Sequence, residues 1–127
     1  MVIEILQVAP HVAAFHFTGQ LTGEDYDTCI GAVETKLSLN PRIGIFTDLT
    51  GLTGMSAEAM AKDVRYGLGK LGELKRFARS AMVTEREWLA RVSSFTGMLV
   101  PGIELQTFEP AERDAAMAWV SRPIAPH

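Results

Sequence analysis

One cysteine, three histidines and two tryptophans in 127 residues leave little material for redox or metal chemistry. A lone Cys29 excludes an internal disulfide and any site built on several thiolates. Long apolar runs are missing too. The stretch from Ala78 to Val83 is interrupted by Arg79 and Ser80, well short of the roughly 18 residues a membrane-spanning helix needs. The opening Met1-Val2-Ile3-Glu4-Ile5-Leu6 has no basic segment followed by an apolar one and a small-residue cleavage site, which predicts a cytoplasmic protein. Excess positive charge is absent: a net charge of −3 and a pI near 5.6 argue against a domain that grips nucleic-acid phosphates.

The catalytic templates are absent as well. Gly67-Leu68-Gly69-Lys70-Leu71-Gly72 sits inside a helical pattern, without the strand and turn that a phosphate loop requires. His11 and His16 lie on or beside a strand and His127 ends the chain, so no histidine pair has the spacing of metal ligands. There is no Gly-x-Ser-x-Gly elbow, and Cys29 stands in no nucleophile motif. Asp25, Asp27, Glu85 and Glu87 fall at helix starts, where the helix dipole alone favours carboxylates. The expectation is a protein that is not an enzyme and holds no cofactor or metal.

What is present is the material of one folded domain, with 47% apolar and 21% charged residues. A single domain over 1–121 is expected, with 122–127, which holds two prolines, as a flexible tail. Charge is uneven. The segment Lys62 to Arg91 carries eight basic against four acidic residues, a local +4. Such a face suits either plain solvation or an anionic lipid surface.

Two short apolar stretches, 2–7 and 12–18, flank Ala9-Pro10-His11 and predict an antiparallel hairpin. Thr22 with Asp25 three residues on predicts a helix start, and Tyr26, Ile30, Val33 and Leu37 continue it to Asn40-Pro41. The run 42–49 reads as a central strand, 50–54 as a turn-rich connection and 56–72 as a helix capped by Ser56. Met60, Val64, Leu68 and Leu71 form its apolar stripe, while Gly67, Gly69 and Gly72 weaken its second half. A strand over 77–84 follows, then a helix over 85–100 with Trp88, Val92, Phe95 and Leu99 on one face. Residues 103–108 alternate as a last strand, and Pro110 opens a final helix with Ala115, Ala116, Trp119 and Val120 turned inward. The order predicts an α/β fold: a mainly parallel sheet of about five strands with an N-terminal antiparallel hairpin and about four helices.

Three segments together carry a family resemblance: Gly19-Gln20-Leu21-Thr22-Gly23-Glu24-Asp25-Tyr26, Arg76 to Thr84 with Trp88, and Pro101-Gly102-Ile103-Glu104 with Phe108. The chain resembles the SpoIIAA-like family, small bacterial proteins with a STAS-like fold, and the likeness runs in order along nearly the whole chain. The resemblance implies two functional expectations. Regulatory STAS proteins, the anti-sigma factor antagonists, are switched by phosphorylation of a serine just after the central strand. Here Asp48 to Thr53 looks like the lead-in, but the acceptor position falls on Ala57, which has no hydroxyl. This leaves a protein-interaction module without the phosphoswitch. The SpoIIAA-like branch is instead associated with nonpolar ligands and membrane contact. On that reading Met55, Met60, Leu68, Trp88, Phe95, Met98 and Leu99 are candidate lining for an apolar or lipid-like ligand between the second and third helices, although the same residues equally make a closed core. A homodimer is a further partner expectation.

Overall fold

The computed structural model describes residues 3–6, 8–85 and 104–125. Its strands are β1 (Ile3–Leu6), β2 (Val12–Leu21), β3 (Ile43–Met55), β4 (Phe77–Val83) and β5 (Glu104–Phe108). They form one sheet in the order β1-β2-β3-β4-β5, with β1 antiparallel to β2 and every other pair parallel. Three α-helices are described: α1 (Gly23–Leu39), α2 (Ala57–Gly69) and α3 (Arg113–Val120). The expected helix over 85–100 lies outside the described residues apart from Glu85.

Local chemistry explains the helix starts. At α1 the Thr22 Oγ1 accepts from the Asp25 amide (3.3 Å) while Asp25 Oδ2 accepts from the Thr22 amide (3.0 Å), a reciprocal cap. At α2 the Ser56 hydroxyl accepts from the Ala59 amide at 3.0 Å. The last helix begins three residues later than Pro110 suggests, because residues Pro110–Glu112 make a 3-10 turn first. Ala116 and Val120 then face inward, Trp119 is half-buried, and Ala115 is exposed, contrary to expectation. At about 3.6 residues per turn Ala115 stands roughly 100° round the helix from Ala116 and farther still from Val120, at the edge of the inward face.

The connection expected over 50–54 is strand instead. β3 runs on to Met55 because β2 runs on to Leu21 beside it, with register shifts between His16 and Thr18 and between Gly19 and Gln20 absorbing the mismatch. Of the glycines there, Gly51 serves close approach. A Cβ on Gly51 would stand 2.7 Å from Thr18 Cγ2 and 2.9 Å from the Phe17 carbonyl, and Gly19 has φ +75°.

Apolar residues gather on both sides of the sheet. On one side Phe15, Phe17, Cys29, Val33 and Leu37 join β2 to α1; on the other Val12, Phe46, Val83, Ala116 and Val120 join the strands to α3. Gly44 lets α3 come close, since a Cβ there would lie 2.9 Å from Val120 Cγ2. The carbonyls of Arg122, Pro123 and Ala125 accept hydrogen bonds from His11, Arg79 and Arg42.

Candidate functional site

α2 is amphipathic in an unusual orientation. Its only buried residue is Ala59, and the half-buried Lys62, Tyr66 and Lys70 share that face. This face meets α1 through polar groups. The Tyr26 hydroxyl donates to Asp63 Oδ1 (2.5 Å) and the Tyr66 hydroxyl to Glu34 Oε1 (3.1 Å). Lys62 lies 2.6 Å from Asp27, and Lys70 lies 2.7 Å from Glu34 and 3.2 Å from Glu73. Burial first, then the carboxylate partners, raise both tyrosine pKa values. The hydrogen bond to Asp27 raises that of Lys62, and the one to Glu34 that of Lys70.

The apolar stripe turns the other way. Met60, Val64 and Leu68 recur every four residues on the side of α2 away from α1, with exposures of 46%, 62% and 63%. Gly67 and Gly69 have open space where a Cβ would stand, so close packing does not account for them.

The sheet offers a matching surface. α1 lies across β2, and the main packing partners of α2 are α1 and the 3-10 turn Leu71–Arg76, not the strands. On the α1 side, β2 is deeply buried at Phe15 and Phe17. Cover thins along the sheet: Ile45 and Leu49 of β3, Met82 of β4 and Leu105 of β5 are only half-buried. Among the described residues, then, an outward apolar helix face stands beside a partly covered, largely apolar sheet face.

Of the expected lining residues, Met60 and Leu68 lie on that outward stripe, and Met55 is half-buried at the end of β3 against the α1-side core. Trp88, Phe95, Met98 and Leu99 fall outside the described residues. The half-buried Ile45, Leu49, Met82 and Leu105 were not singled out because strand periodicity marks them as ordinary core. A cleft between α1 and α2, about 460 Å³ in volume, is lined by Asp27, Glu34, Lys62, Arg65, Tyr66 and Lys70 among others. Its charges are mostly spent on one another.

Four of the described basic residues of the segment 62–91 are engaged in the same way. Lys62 and Lys70 are ion-paired, Arg76 donates to the Leu37, Asn40 and Pro41 carbonyls at the end of α1, and Arg79 donates to the Arg122 and Pro123 carbonyls. No described helix is long and apolar enough to cross a membrane, and no group of three metal-ligating side chains occurs among the described residues.

On the α3 side, Asp48 is 3% exposed and accepts from the Thr50 amide (3.0 Å), the Thr50 hydroxyl (2.7 Å) and Arg113 Nε (2.8 Å). Burial pushes its carboxyl up, but the bonds from Thr50 and Arg113, with the field of His16, outweigh burial and hold it below the usual carboxylate range. The group ties β3 to α3. Ser56 spends its hydroxyl on the helix cap, and Ala57 offers none.

A mixed sheet with helical crossovers on one side and a last helix on the other defines a SpoIIAA-like α/β domain. The SpoIIAA-like family matches residues 12–121, and the chain belongs to that family. It is similar to the crystal structure of an uncharacterized DUF3478-family protein with a SpoIIAA-like fold from Shewanella loihica PV-4, at 30% identity and TM-score 0.67, covering 93% of this chain and 91% of that one. The anti-sigma factor antagonist SpoIIAA in its unphosphorylated form shares the fold at 12% identity and TM-score 0.60, over 91% of this chain and 97% of that one. No curated protein matches.

Proposed function

We propose that this domain is a non-enzymatic binding module that takes up a small apolar or lipid-like ligand between the outward face of α2 and the half-covered sheet. The observation that carries the reading is the inversion of α2. A helix normally buries its apolar stripe and shows its charges to water. Here tyrosines, lysines and carboxylates hold the helix to α1 while Met60, Val64 and Leu68 are displayed. Exposed apolar surface of this kind marks a binding site more often than an accident of folding. Met adapts its shape to an incoming body. Trp88, Phe95, Met98 and Leu99 complete the proposed lining by their sequence pattern.

Native mass spectrometry of protein purified from cells, followed by lipid extraction, tests the reading. Recovery of a bound apolar molecule supports it, and a Leu68→Asp variant should lose that molecule. Leu68 is exposed, so the substitution should change stability by no more than about 0.5 kcal/mol. An empty protein that also binds neither fatty acids nor vesicles defeats the reading. A second reading, a regulatory module that docks a protein through the same stripe, is favoured by the fold shared with an anti-sigma factor antagonist. There Leu68→Asp abolishes capture of a defined protein while no ligand is extracted from the wild type. Ala57 leaves no phosphoacceptor at the position where that group is switched.

A further inference from the structure

Two hydroxyls on the α1 side of the sheet have no hydrogen-bond partner among the described residues although both oxygens are buried: Thr47 Oγ1 and Thr84 Oγ1. Thr84 is 2% exposed. Their placement follows from strand alternation. On β3, Phe46 packs on the α3 side and Asp48 bonds Arg113 of α3, so Thr47 turns the opposite way, between Ile45 and Leu49. On β4, Ala81 and Val83 pack on the α3 side, which turns Met82 toward α1. Thr84 continues that alternation one residue past the strand, where its amide donates to the Phe108 carbonyl at 3.0 Å. Thr47 and Met82 are register partners, and Thr84 follows Met82 by two. The two hydroxyls therefore flank one patch, beside the carboxyl end of β4 and the middle of β3.

A buried hydroxyl left unpartnered is costly, and native proteins keep few of them. Both threonines share the sheet side with the apolar surface assigned above. No charged side chain projects on this side from β3, β4 or β5: the acidic and basic groups Asp48, Arg79 and Glu104 alternate to the other. A carboxylate or phosphate brought here would find no counter-ion on these three strands. A neutral oxygen would find two hydroxyls, each able to donate and to accept.

We infer that the ligand is amphiphilic, with an uncharged oxygen-bearing head (an alcohol, ester, aldehyde or amide) hydrogen-bonded to Thr47 and Thr84 and an apolar body against the sheet and α2. This rests on the ligand-binding reading above and narrows its chemistry.

The test compares 1-decanol, decane and decanoate as probes on the full chain, in the wild type and in Thr47→Val, Thr84→Val and the double variant. Valine keeps the shape and suits a strand, so the variants should fold. The wild type should bind decanol about tenfold more tightly than decane, the worth of one added hydrogen bond, and decanoate no better than decane. The double variant should lose the preference for decanol, keep its affinity for decane, and be at least as resistant to denaturant without ligand, since no satisfied bond has been removed. Equal binding of decanol and decane by the wild type overturns the head-group assignment and leaves the ligand reading standing. A preference for decanoate overturns it too. So does loss of unliganded stability in either single variant, or an ordered water that stays on the hydroxyls with decanol bound. Failure of all three probes to bind defeats the ligand reading itself.

Discussion

Asp48 is the residue whose environment most restricts its chemistry. Its carboxylate is buried, yet three donors from Thr50 and Arg113 keep it ionised. A carboxyl whose folded pKa lies below its unfolded value, near 3.9, adds stability above that unfolded value. The contribution disappears as pH falls through the folded pKa. Replacing Arg113 by Leu removes one donor and the cation stationed 5.6 Å from the Phe46 ring. The Arg113 side chain is 40% exposed, so water screens the pair. The expected loss is about 1 kcal/mol at pH 7, narrowing as pH falls through the depressed folded pKa of Asp48. Denaturant titrations at pH 7 and in acid check this, and an equal loss at both would show that Arg113 acts by packing. Cys29, the only cysteine, is buried with its thiol pushed up to about 12 by burial and then by Asp25, which makes it a core residue and not a nucleophile.

At the scale of elements, α2 is fastened by hydroxyls and charges where most helices are fastened by an apolar seam. Its attachment should therefore respond to alkali. Tyr26 and Tyr66 ionise at higher pH folded than unfolded. Their stabilising contribution is whole below the unfolded tyrosine value near 10 and is lost as pH rises toward the folded one. Tyr26→Phe should flatten the fall in stability above about pH 10 while costing about 1 kcal/mol at neutral pH, the worth of the bond to Asp63. A variant whose alkaline slope matched the wild type would show that Tyr26 does not carry that dependence. The same helix shows where sequence stops. The spacing of Met60, Val64 and Leu68 gave the stripe, and Ser56 gave the start of the helix. Periodicity says only that a helix has an apolar face. That the face points away from α1 depends on Tyr26, Asp27 and Glu34, residues of another helix that no local pattern connects to α2. In β3 the glycines at 51 and 54 read as turn formers, because the sequence does not show that β2 runs beside both and needs the room at Gly51. The succession of strands and helices and the capping of α1 and α2 were legible because each depends on neighbours in the chain. Thr47 and Thr84 were invisible as a pair, since 37 residues separate them and only the β3–β4 register brings them to one patch.

Across the whole molecule the parallel order β2-β3-β4 fixes where α1 and α2 can lie, because right-handed crossovers between successive parallel strands put both connections on one side of the sheet. The chain then leaves β5 and returns as α3 on the other side, where the described core is closed by Phe46, Val83, Ala116 and Val120. Among the described residues both sides keep half-buried apolar groups at their margins, but only the α1 side has them beside an outward apolar stripe, the difference on which the proposed binding reading rests. A ligand held only by the folded domain stabilises it by an amount set by its concentration relative to Kd, about 2.7 kcal/mol at one hundredfold excess. For a chain of 127 residues that corresponds to a rise in Tm on the order of 10 °C. The α3 side should be indifferent: a substitution such as Ala115→Ser, exposed on that helix, should leave the ligand-induced rise intact, whereas Leu68→Asp should abolish it at nearly unchanged unliganded Tm. Thermal scans of the three proteins with and without decanol measure both effects together. A rise in Leu68→Asp equal to that of the wild type would move the site off the α2 stripe.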